Sequence, residues 1–364
     1  MHAYPFLPSL LPLQADEDRW GHFEPLASSA TGILGTLNGM MEASAKADLF
    51  WLSWLMREAQ SSNWIEGTIT TLDEVFGENI GVQVPKERKD EVAEVLNYRE
   101  TMILGLDHVA AGRPFSVSMI KALHARLLQG ARGETKHPGK MRLSPVVIGN
   151  PPAYVPPAAE HLPPLLENLE AFLQREDINP VIQTAILHAQ FEMIHPFLDG
   201  NGRIGRLLIT LFLAQRGLIR KPCFYLSAYL QAKRTRYYAT LAAISKKSDW
   251  KSWIEFFLQA VIAKSRENIQ LLLDMTALYE ESKKAFVRIT GSAHAVEALD
   301  YIFATPLFTL PALKRNSGIQ LGTAALTTLL GKLSDAGIIE LLQPKSGRRA
   351  ATWRFSELMR LIER

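Results

Sequence analysis

The fold of this chain is decided by twelve residues, His195-Pro196-Phe197-Leu198-Asp199-Gly200-Asn201-Gly202-Arg203-Ile204-Gly205-Arg206. They bring an imidazole, a carboxylate, a glycine-rich turn and two guanidinium groups together in one short stretch. The apolar run before them predicts a buried helix, with Asn179 as N-cap and Pro180 at its first position. The helix should end at His195, because Pro196 disfavours helical geometry in the residue before it.

A second helix is predicted after the turn, and Gly217 can end it. Its apolar face is formed by residues spaced three and four apart: Ile204, Leu207, Leu208, Leu211 and Phe212. The first turn carries Arg203 and Arg206, where the helix dipole is itself positive. Cations there are disfavoured by about 0.3–1 kcal/mol each unless an anion is present. Gly200 and Gly202 allow backbone N–H groups to converge on phosphate oxygens. The sequence therefore predicts a nucleotide phosphate site.

Two side chains beside this site can supply chemistry. Asp199 can hold Mg²⁺, which commonly binds one or two carboxylates together with substrate phosphates. His195 is the natural general base, since an unperturbed imidazole has a pKa of about 6.5. The prediction is a phosphate site with a base next to it.

These residues match a known family. The stretch 195–206 resembles the HPFx(D/E)GNGRxxR signature of Fic domains at every defining position. The resemblance implies a mainly α-helical fold with a β-hairpin flap, and transfer of AMP from ATP to a Ser, Thr or Tyr hydroxyl of a target protein. It also implies that His195 deprotonates the hydroxyl and that Asp199 positions Mg²⁺. The residues implied to bind the nucleotide phosphates are Gly200, Asn201, Gly202, Arg203 and Arg206.

A second motif precedes the signature. Ser62-Asn63-Trp64-Ile65-Glu66-Gly67 is similar to the (S/T)xxxE(G/N) inhibitory motif of Fic proteins. Ser62 and Glu66 are four apart on one helix face, and Gly67 can end the helix. Glu66 then lies at the negative end of a helix dipole, where a carboxylate favours a cation as partner. The resemblance implies that Glu66 pairs with Arg206 and blocks the γ-phosphate of ATP. The alternative is a surface glutamate at a frayed helix end.

Residues 130–157 lose the helical periodicity. Two short apolar runs, 146–148 and 153–155, flank Gly149-Asn150-Pro151-Pro152 and predict a β-hairpin. This hairpin resembles the Fic flap, which aligns a target segment by strand-like pairing. The residues implied to position the target are Val147, Ile148, Gly149 and Tyr154. The alternative is a small structural hairpin.

Three tyrosines after the signature lie where the family builds its nucleotide wall: Tyr229, Tyr237 and Tyr238. Family members often have an asparagine shortly after the tyrosine pair, where this chain has Ile244 and Ser245. The base pocket therefore departs from the family pattern. An ordinary core role for any of these tyrosines is the alternative.

Composition limits the class of protein. A chain of 364 residues can form two or three domains, and none of its apolar runs reaches membrane-spanning length. The N-terminus lacks the basic and apolar segments of a secretory signal, and the single Cys223 fits a reducing compartment. We therefore expect a cytoplasmic protein without a membrane segment. The net charge of +3 gives no whole-chain argument for nucleic-acid binding.

The predicted regions are an N-terminal helical region (1–105), a catalytic domain (106–265), a linking helix (266–290) and a C-terminal domain (291–364). Residues up to about 30 are rich in proline and predicted to be irregular. Helices are predicted at 33–41, 47–65, 91–109 and 116–128. The C-terminal domain resembles a winged helix, with strands at 338–342 and 351–355 around the basic tip of Lys345, Arg348 and Arg349. Its predicted recognition helix has few side chains able to read bases, so DNA binding is not favoured.

Other functions could use the same residues. His188, Glu192 and His195 share a helix face that could ligate a metal, but the second Glu-x-x-His pair, Glu134 and His137, lies in a loop. The phosphate site could also serve UMP transfer or removal of AMP, and the C-terminal domain could make the protein a DNA-binding regulator. The leading hypothesis has ATP and an unidentified target protein, docked along the flap, as partners. Self-modification and a homo-oligomer are compatible with it.

Overall fold

The computed structural model describes residues 5–11, 20–82, 84–130, 134–149, 154–347 and 349–364. The N-terminal part is built from α1 (Glu24–Ala43), α2 (Ala47–Ile65), α3 (Leu72–Asn79) and α4 (Lys89–Ala110). Helices α2 and α4 confirm their predictions, whereas α1 shows that the irregular region was predicted too long. Pro25 lies in the first turn of α1, where its missing N–H costs no hydrogen bond. The proline therefore starts a helix here and does not break one.

The next helices carry and surround the signature: α5 (Val117–Leu127), α6 (Leu162–Leu173), α7 (Pro180–Ile194) and α8 (Asn201–Gln215). Helix α7 packs between α6 and α8 and is buried on almost every side, which explains its continuous apolar run. Its N-cap is the predicted one, since Asn179 Oδ1 accepts from the N–H of Val181 at 2.9 Å. Helix α4 crosses α8 closely at Gly105, where an added Cβ would lie 2.4 Å from Leu211 Cδ1. Helices α7 and α8, the two predicted on either side of the glycine-rich turn, thus form the centre of the fold.

Three helices follow: α9 (Ser227–Ala232), α10 (Arg234–Lys247) and α11 (Trp250–Thr290). Helix α11 is 41 residues long and packs against α1, α7 and α10. The predicted linking helix, 266–290, is the second half of this continuous helix and not a separate element. Short 3-10 turns are formed by Trp20–Phe23, Lys86–Arg88, Glu134–Lys136 and Ala159–His161.

The C-terminal unit, residues 291–364, contains in chain order α12 (Ala295–Ala304), β1 (Leu307–Thr309), α13 (Leu310–Asn316), α14 (Thr323–Asp335), β2 (Glu340–Gln343), β3 (Thr352–Arg354) and α15 (Ser356–Glu363). The strands form an antiparallel sheet in the order β1-β3-β2, and Trp353 of β3 pairs with Phe308 on one side and Leu341 on the other. The sequence predicted β2 and β3 but missed β1 and α15. The winged-helix assignment stays a prediction, and Arg348 lies outside the described residues.

The observed architecture confirms the predicted mainly helical fold with a small sheet. One apolar core runs through the molecule and includes residues of both the signature helices and the C-terminal unit. Within the described ranges, we find no helix with the length and apolar character needed to cross a bilayer.

Candidate active site

His195 ends α7 and faces a cavity. Its backbone is left-handed (φ 49°, ψ 61°), and its N–H donates to the carbonyl O of Phe191 at 2.9 Å. The residue therefore leaves the helix, as Pro196 predicted. The imidazole Nδ1 lies 3.3 Å from the carbonyl O of Glu192, and with Nδ1 donating, Nε2 remains as the proton acceptor. Burial lowers the pKa of His195 to about 4, so the ring is neutral at pH 7 and can accept a proton.

Arg142 holds the backbone at this turn. Its guanidinium donates from Nε to the carbonyl O of His195 at 2.8 Å and from Nη2 to that of Pro157 at 2.6 Å. Its backbone N–H donates to the carbonyl O of Pro196 at 2.9 Å. These bonds fix the left-handed histidine and join it to the segment around the flap.

The glycine-rich loop is closed by its own side chains. Gly200 is left-handed (φ 77°), a conformation that favours glycine. Asn201 Oδ1 accepts from the N–H of Phe197 and its Nδ2 donates to the carbonyl O of the same residue, both at 2.9 Å. The Asn201 side chain therefore shapes the loop. The first backbone N–H groups of α8 have no partners within the helix and can bind an anion.

His124 of α5 supports this loop, and the sequence analysis did not identify it. Its ring stacks on Phe197 with centroids 3.7 Å apart. Nδ1 accepts from the N–H of Gly139 at 2.8 Å, so Nε2 carries the proton and donates to the carbonyl O of Asp199 at 3.0 Å. Burial lowers the pKa of His124 to about 4, which keeps this ring neutral at pH 7.

Arg203 lies between carboxylates. Its Nη2 is 3.3 Å from Asp199 Oδ1, and its Nη1 is 3.7 Å from Glu94 Oε2. Nη1 also donates to Asn63 Oδ1 at 3.5 Å. The guanidinium is thus held at the start of α8 by residues from α2 and α4.

Arg206 is held by the end of α2. Its Nε donates to Ser62 Oγ at 2.9 Å, and its Nη2 donates to the carbonyl O of Ser62 at 2.9 Å and to Glu66 Oε1 at 2.7 Å. The residue is 2% exposed. Gly67 ends the helix with φ 92°. The structure therefore brings together the residues of both predicted motifs.

Glu66 rests against the signature helix. Burial alone would raise the pKa of Glu66, but the Arg206 guanidinium holds it below its usual value. An added Cβ at Gly202 would lie 2.3 Å from Glu66 Oε1. The ionised carboxylate consequently occupies the N-terminal end of α8, where the backbone and Arg206 both favour negative charge.

Asp199 is the predicted metal ligand. Its Oδ1 accepts from the N–H of Gly200 at 2.6 Å, and its side chain is 45% exposed. Across the described residues, His, Cys, Asp and Glu side chains do not form a group of three or more that could hold a metal. The donor set at Asp199 fits Mg²⁺, which can take one carboxylate and complete its shell with phosphates and water.

The predicted flap is present as a β-bridge. The N–H of Ile148 donates to the carbonyl O of Tyr154 at 2.9 Å, and the reverse bond is 3.2 Å long. The Tyr154 hydroxyl donates to the carbonyl O of Met193 at 2.8 Å, which ties the flap to the end of α7. Gly149 is left-handed (φ 89°) and Val147 is 55% exposed. Residues 150–153 of the predicted hairpin lie outside the described residues.

A cavity of about 410 Å³ joins these parts. Its walls come from α7, α8, α10, the flap and the end of α2: Glu66, Ile148, Gly149, Tyr154, Glu192, Met193, His195, Gly202, Arg206, Arg234, Tyr237, Tyr238, Leu241, Ala242 and Ser245. Two of the predicted base-pocket tyrosines, Tyr237 and Tyr238, line it. Tyr229 instead packs against Phe256 of α11. Glu192 and Arg234 also line the cavity, although the sequence analysis did not predict this.

His188 has an interior partner. Its Nε2 lies 2.9 Å from the Tyr237 hydroxyl, and its ring stacks on Trp253. Burial lowers the pKa of His188 to about 4. The hydrogen bond orients Tyr237 at the cavity wall. The contacts of His188 with Tyr237 and Trp253 are those of a core residue.

Two family models match the chain. Residues 25–107 match the model described as Fic/DOC family N-terminal, and residues 114–213 match the Fic/DOC family model. Together the matches span just over half of the chain. They include both motifs, α2 with Glu66 and the signature from His195 to Arg206.

Curated proteins and solved structures agree with these matches. A probable protein adenylyltransferase of Aquifex aeolicus is 32% identical over 96 residues, which are 26% of this chain and 30% of that protein. Protein adenylyltransferase Fic-1 of Caenorhabditis elegans is 31% identical over 129 residues, which are 35% of this chain and 23% of that protein. The chain thus matches less than a third of the length of these relatives.

A solved structure shows that the likeness of fold extends further. A Fic family protein from Desulfovibrio desulfuricans G20 has a TM-score of 0.59 and 23% identity, and the match covers 91% of this chain and 96% of that one. The signature and the two family models lead to one conclusion: this chain belongs to the Fic/DOC family.

Proposed function

We propose that this protein is an adenylyltransferase that transfers AMP from ATP to a hydroxyl side chain of a target protein, and that Glu66 restrains it. One observation carries the proposal: a neutral imidazole, that of His195, faces the same cavity as Arg206 and the N-terminus of α8. A base and an anion site on one cavity are what phosphoryl-group transfer to a hydroxyl requires. The names of the relatives support the same activity.

The reaction follows from this arrangement. The hydroxyl oxygen of the target attacks the α-phosphorus of ATP while His195 Nε2 takes the hydroxyl proton. The bond from the α-phosphorus to the bridging oxygen breaks, and pyrophosphate leaves. Because burial keeps His195 neutral at pH 7, the base is in its active form without a partner carboxylate. Arg142 supports it by holding its backbone carbonyl.

The phosphates would be bound by residues of α8. Gly202 leaves its backbone open to a phosphate oxygen, and Arg203 and Arg206 supply positive charge. Asp199 would hold Mg²⁺, which neutralises phosphate charge in such sites. The carboxylate of Asp199 is exposed enough to reach a cation, and its Oδ1 already pairs with Arg203.

The position of Glu66 supports the proposed autoinhibition. Its Oε1 takes a hydrogen bond from Arg206 Nη2 at 2.7 Å and lies where a phosphate oxygen would meet α8. ATP must displace this carboxylate to use Arg206. Ser62 aligns the guanidinium from two atoms, which makes the pair specific for arginine.

The target would dock along the flap. Val147 is exposed beside the Ile148–Tyr154 bridge, and an extended peptide could pair with this edge. The Tyr154 hydroxyl is hydrogen-bonded to the end of α7. A target segment that pairs with the flap would therefore also be aligned with His195. Self-modification, a homo-oligomer and a cytoplasmic location remain predictions, as do the domain boundaries. DNA binding by the C-terminal unit remains an alternative that is not favoured.

The test uses nucleotide labelled at the α-phosphate, full-length protein and Mg²⁺. We expect Glu66→Gly to raise label transfer from ATP by at least about fivefold, the lower end of typical coupling between sites. Adding His195→Ala should reduce transfer by about 10²–10⁴-fold, the usual contribution of a general base. Glu78→Gly, which removes an exposed carboxylate of α3, is the matched control and should resemble the wild type.

Two results would overturn the proposal. If Glu66→Gly transferred no more label than the wild type, Glu66 would not be inhibitory. If transfer persisted after His195→Ala, His195 would not be the general base. Label from UTP in place of ATP, or net release of AMP from modified protein, would favour the alternative reactions of the same site.

A further inference from the structure

Glu192 is a carboxyl group that the reaction above does not use. It lies on α7 one turn before His195 and lines the same cavity. Its Oε1 is buried and has no hydrogen-bond partner in the described part of the chain. Buried polar atoms in native proteins are nearly always paired, so the unpaired Oε1 leaves Glu192 with hydrogen-bonding capacity that the described residues do not use.

Gly205 makes room for this carboxyl. An added Cβ at Gly205 would lie 2.2 Å from Glu192 Oε1 and 3.3 Å from Phe191 Cδ1. Gly205 is inside α8, where its backbone is helical and does not itself require glycine. The absence of a side chain at Gly205 therefore leaves the space that the Glu192 side chain occupies.

The carboxyl is mostly protonated at neutral pH. Burial raises the pKa of Glu192 to about 8; Arg206 opposes this shift and Glu66 adds to it. A protonated carboxyl does not repel a triphosphate, and it offers one hydrogen-bond donor together with an acceptor oxygen.

The position of Glu192 matches one part of a nucleotide. The cavity extends from Gly202 and Arg206 at the phosphate end to Tyr238 and Ser245 on α10. Glu192 lines the same cavity and is close enough for its charge to act on Arg206 at the phosphate end and on Tyr237 and Tyr238 of α10. In a nucleotide the sugar lies between the phosphates and the base, and its two adjacent hydroxyls each donate and accept hydrogen bonds.

We propose that Glu192 binds the ribose hydroxyls of the nucleotide and makes the site selective for ribonucleotides over deoxyribonucleotides. This inference rests on the proposed function, since it requires a nucleotide in the cavity. It makes Glu192 a specificity residue, with Gly205 as the position that lets it reach the sugar.

The test measures binding of ATP, 2′-deoxy-ATP and 3′-deoxy-ATP with Mg²⁺ to the full-length Glu66→Gly protein by calorimetry. We expect ATP to bind at least about fivefold more tightly than one or both deoxy analogues, as for one buried hydrogen bond. Adding Glu192→Leu should remove the preference, and adding Gly205→Ala, which displaces the carboxyl, should weaken it. Glu192→Gln retains a donor and an acceptor and should keep it.

Measuring the preference for ATP as a function of pH distinguishes ribose binding by Glu192 from a purely structural role of this residue. As pH rises from 6 to 9, Glu192 ionises and its carboxylate can accept charge-assisted hydrogen bonds from both ribose hydroxyls, so the preference for ATP should rise; with Glu192→Gln it should stay constant. The other titratable or charged groups that line this cavity are Glu66, Tyr154, His195, Arg206, Arg234, Tyr237 and Tyr238, and His188 lies one turn before Glu192 on α7. Burial lowers the pKa of both histidines to about 4 and raises those of the tyrosines, so these groups keep their charge over this range.

The outcomes distinguish this inference from the proposed function. Equal binding of all three nucleotides to Glu66→Gly, or a preference that survives Glu192→Leu, would overturn the ribose assignment and leave the proposed function standing. Absence of ATP binding to Glu66→Gly would overturn both.

Discussion

Helix α2 has different neighbours at its two ends. At the C-terminal end, Ser62 and Glu66 hold Arg206 of the signature helix. At the N-terminal end, Lys46 pairs with Asp300 of α12 at 3.0 Å. Further contacts to this side are Trp54 Nε1 to Met275 Sδ at 3.1 Å and Arg57 Nη2 to the carbonyl O of Glu363 at 3.0 Å. One helix therefore connects the candidate active site with α11 and the C-terminal unit.

The two ends differ in the burial of their cations. Arg206 is almost fully buried although its partner Glu66 has a side chain 38% exposed, whereas the side chains of Lys46 and Asp300 are each 33% exposed. Removing the partner of a buried charge leaves that charge uncompensated, while an exposed pair contributes little. Under the proposed function the C-terminal end acts as a switch, since we expect one substitution or ligand to change it strongly; we call it the switch end. The N-terminal end is held in place by several weak contacts, and we call it the frame end.

The largest effect is expected between the two ends, at Glu58. Its buried carboxylate accepts from Ser227 Oγ at 2.5 Å, from the Ser227 N–H at 3.0 Å and from the Tyr98 hydroxyl at 3.0 Å. Glu58→Ala would leave these donors unpaired, and we expect it to lower the free energy of unfolding by about 3 kcal/mol or more. Urea unfolding of the full chain measures this. Glu78→Ala on the surface is the control, and an equal loss in the two variants would contradict an anchoring role for Glu58.

A smaller effect is expected at the switch end from Ser62→Ala. Arg206 Nε loses its hydroxyl acceptor, while the Glu66 contact and the Ser62 carbonyl contact remain. One hydrogen bond contributes about 0.5–1.5 kcal/mol, so we expect ATP to bind about two- to tenfold more tightly than to the wild type. Calorimetry with Mg²⁺-ATP measures the change. Ser61→Ala is the matched control, because Ser61 Oγ is buried without a hydrogen-bond partner in the described ranges. If both variants bound ATP equally, the Ser62 hydroxyl would have no part in the restraint.

The switch end could be predicted because its signals are local. His195, the glycine turn and Arg206 lie in one stretch, and the family motif around Glu66 supplies the partner. The sequence therefore predicted the pair of Glu66 and Arg206 that the structure places in contact. It also predicted the helices on both sides, since apolar spacing and the Asn179 cap are properties of short segments.

The frame end and the supports of the loop could not be predicted. His124 and Glu94 reach the site, and Ser227 reaches Glu58 of α2, from elements far away in the chain, and no spacing rule relates them to the signature. Strand β1 has three residues, too few for a period-two pattern to be recognised. Tyr229 was placed in the base pocket by the family pattern, yet it packs on α11.

The smallest effect is expected at the N-terminal end of α2, from Lys46→Ala. The Lys46–Asp300 pair is one-third exposed, so its loss should lower the free energy of unfolding by less than about 1 kcal/mol. Lys284→Ala, at an exposed lysine of α11, is the control. Nucleotide transfer should equal that of the wild type, because the remaining contacts of Trp54 and Arg57 keep α2 in place and the Glu66–Arg206 pair is untouched. A rise in transfer toward the level of Glu66→Gly would contradict this separation. It would mean that the C-terminal unit sets the position of Glu66 through α2, and that a ligand of this unit could control the active site.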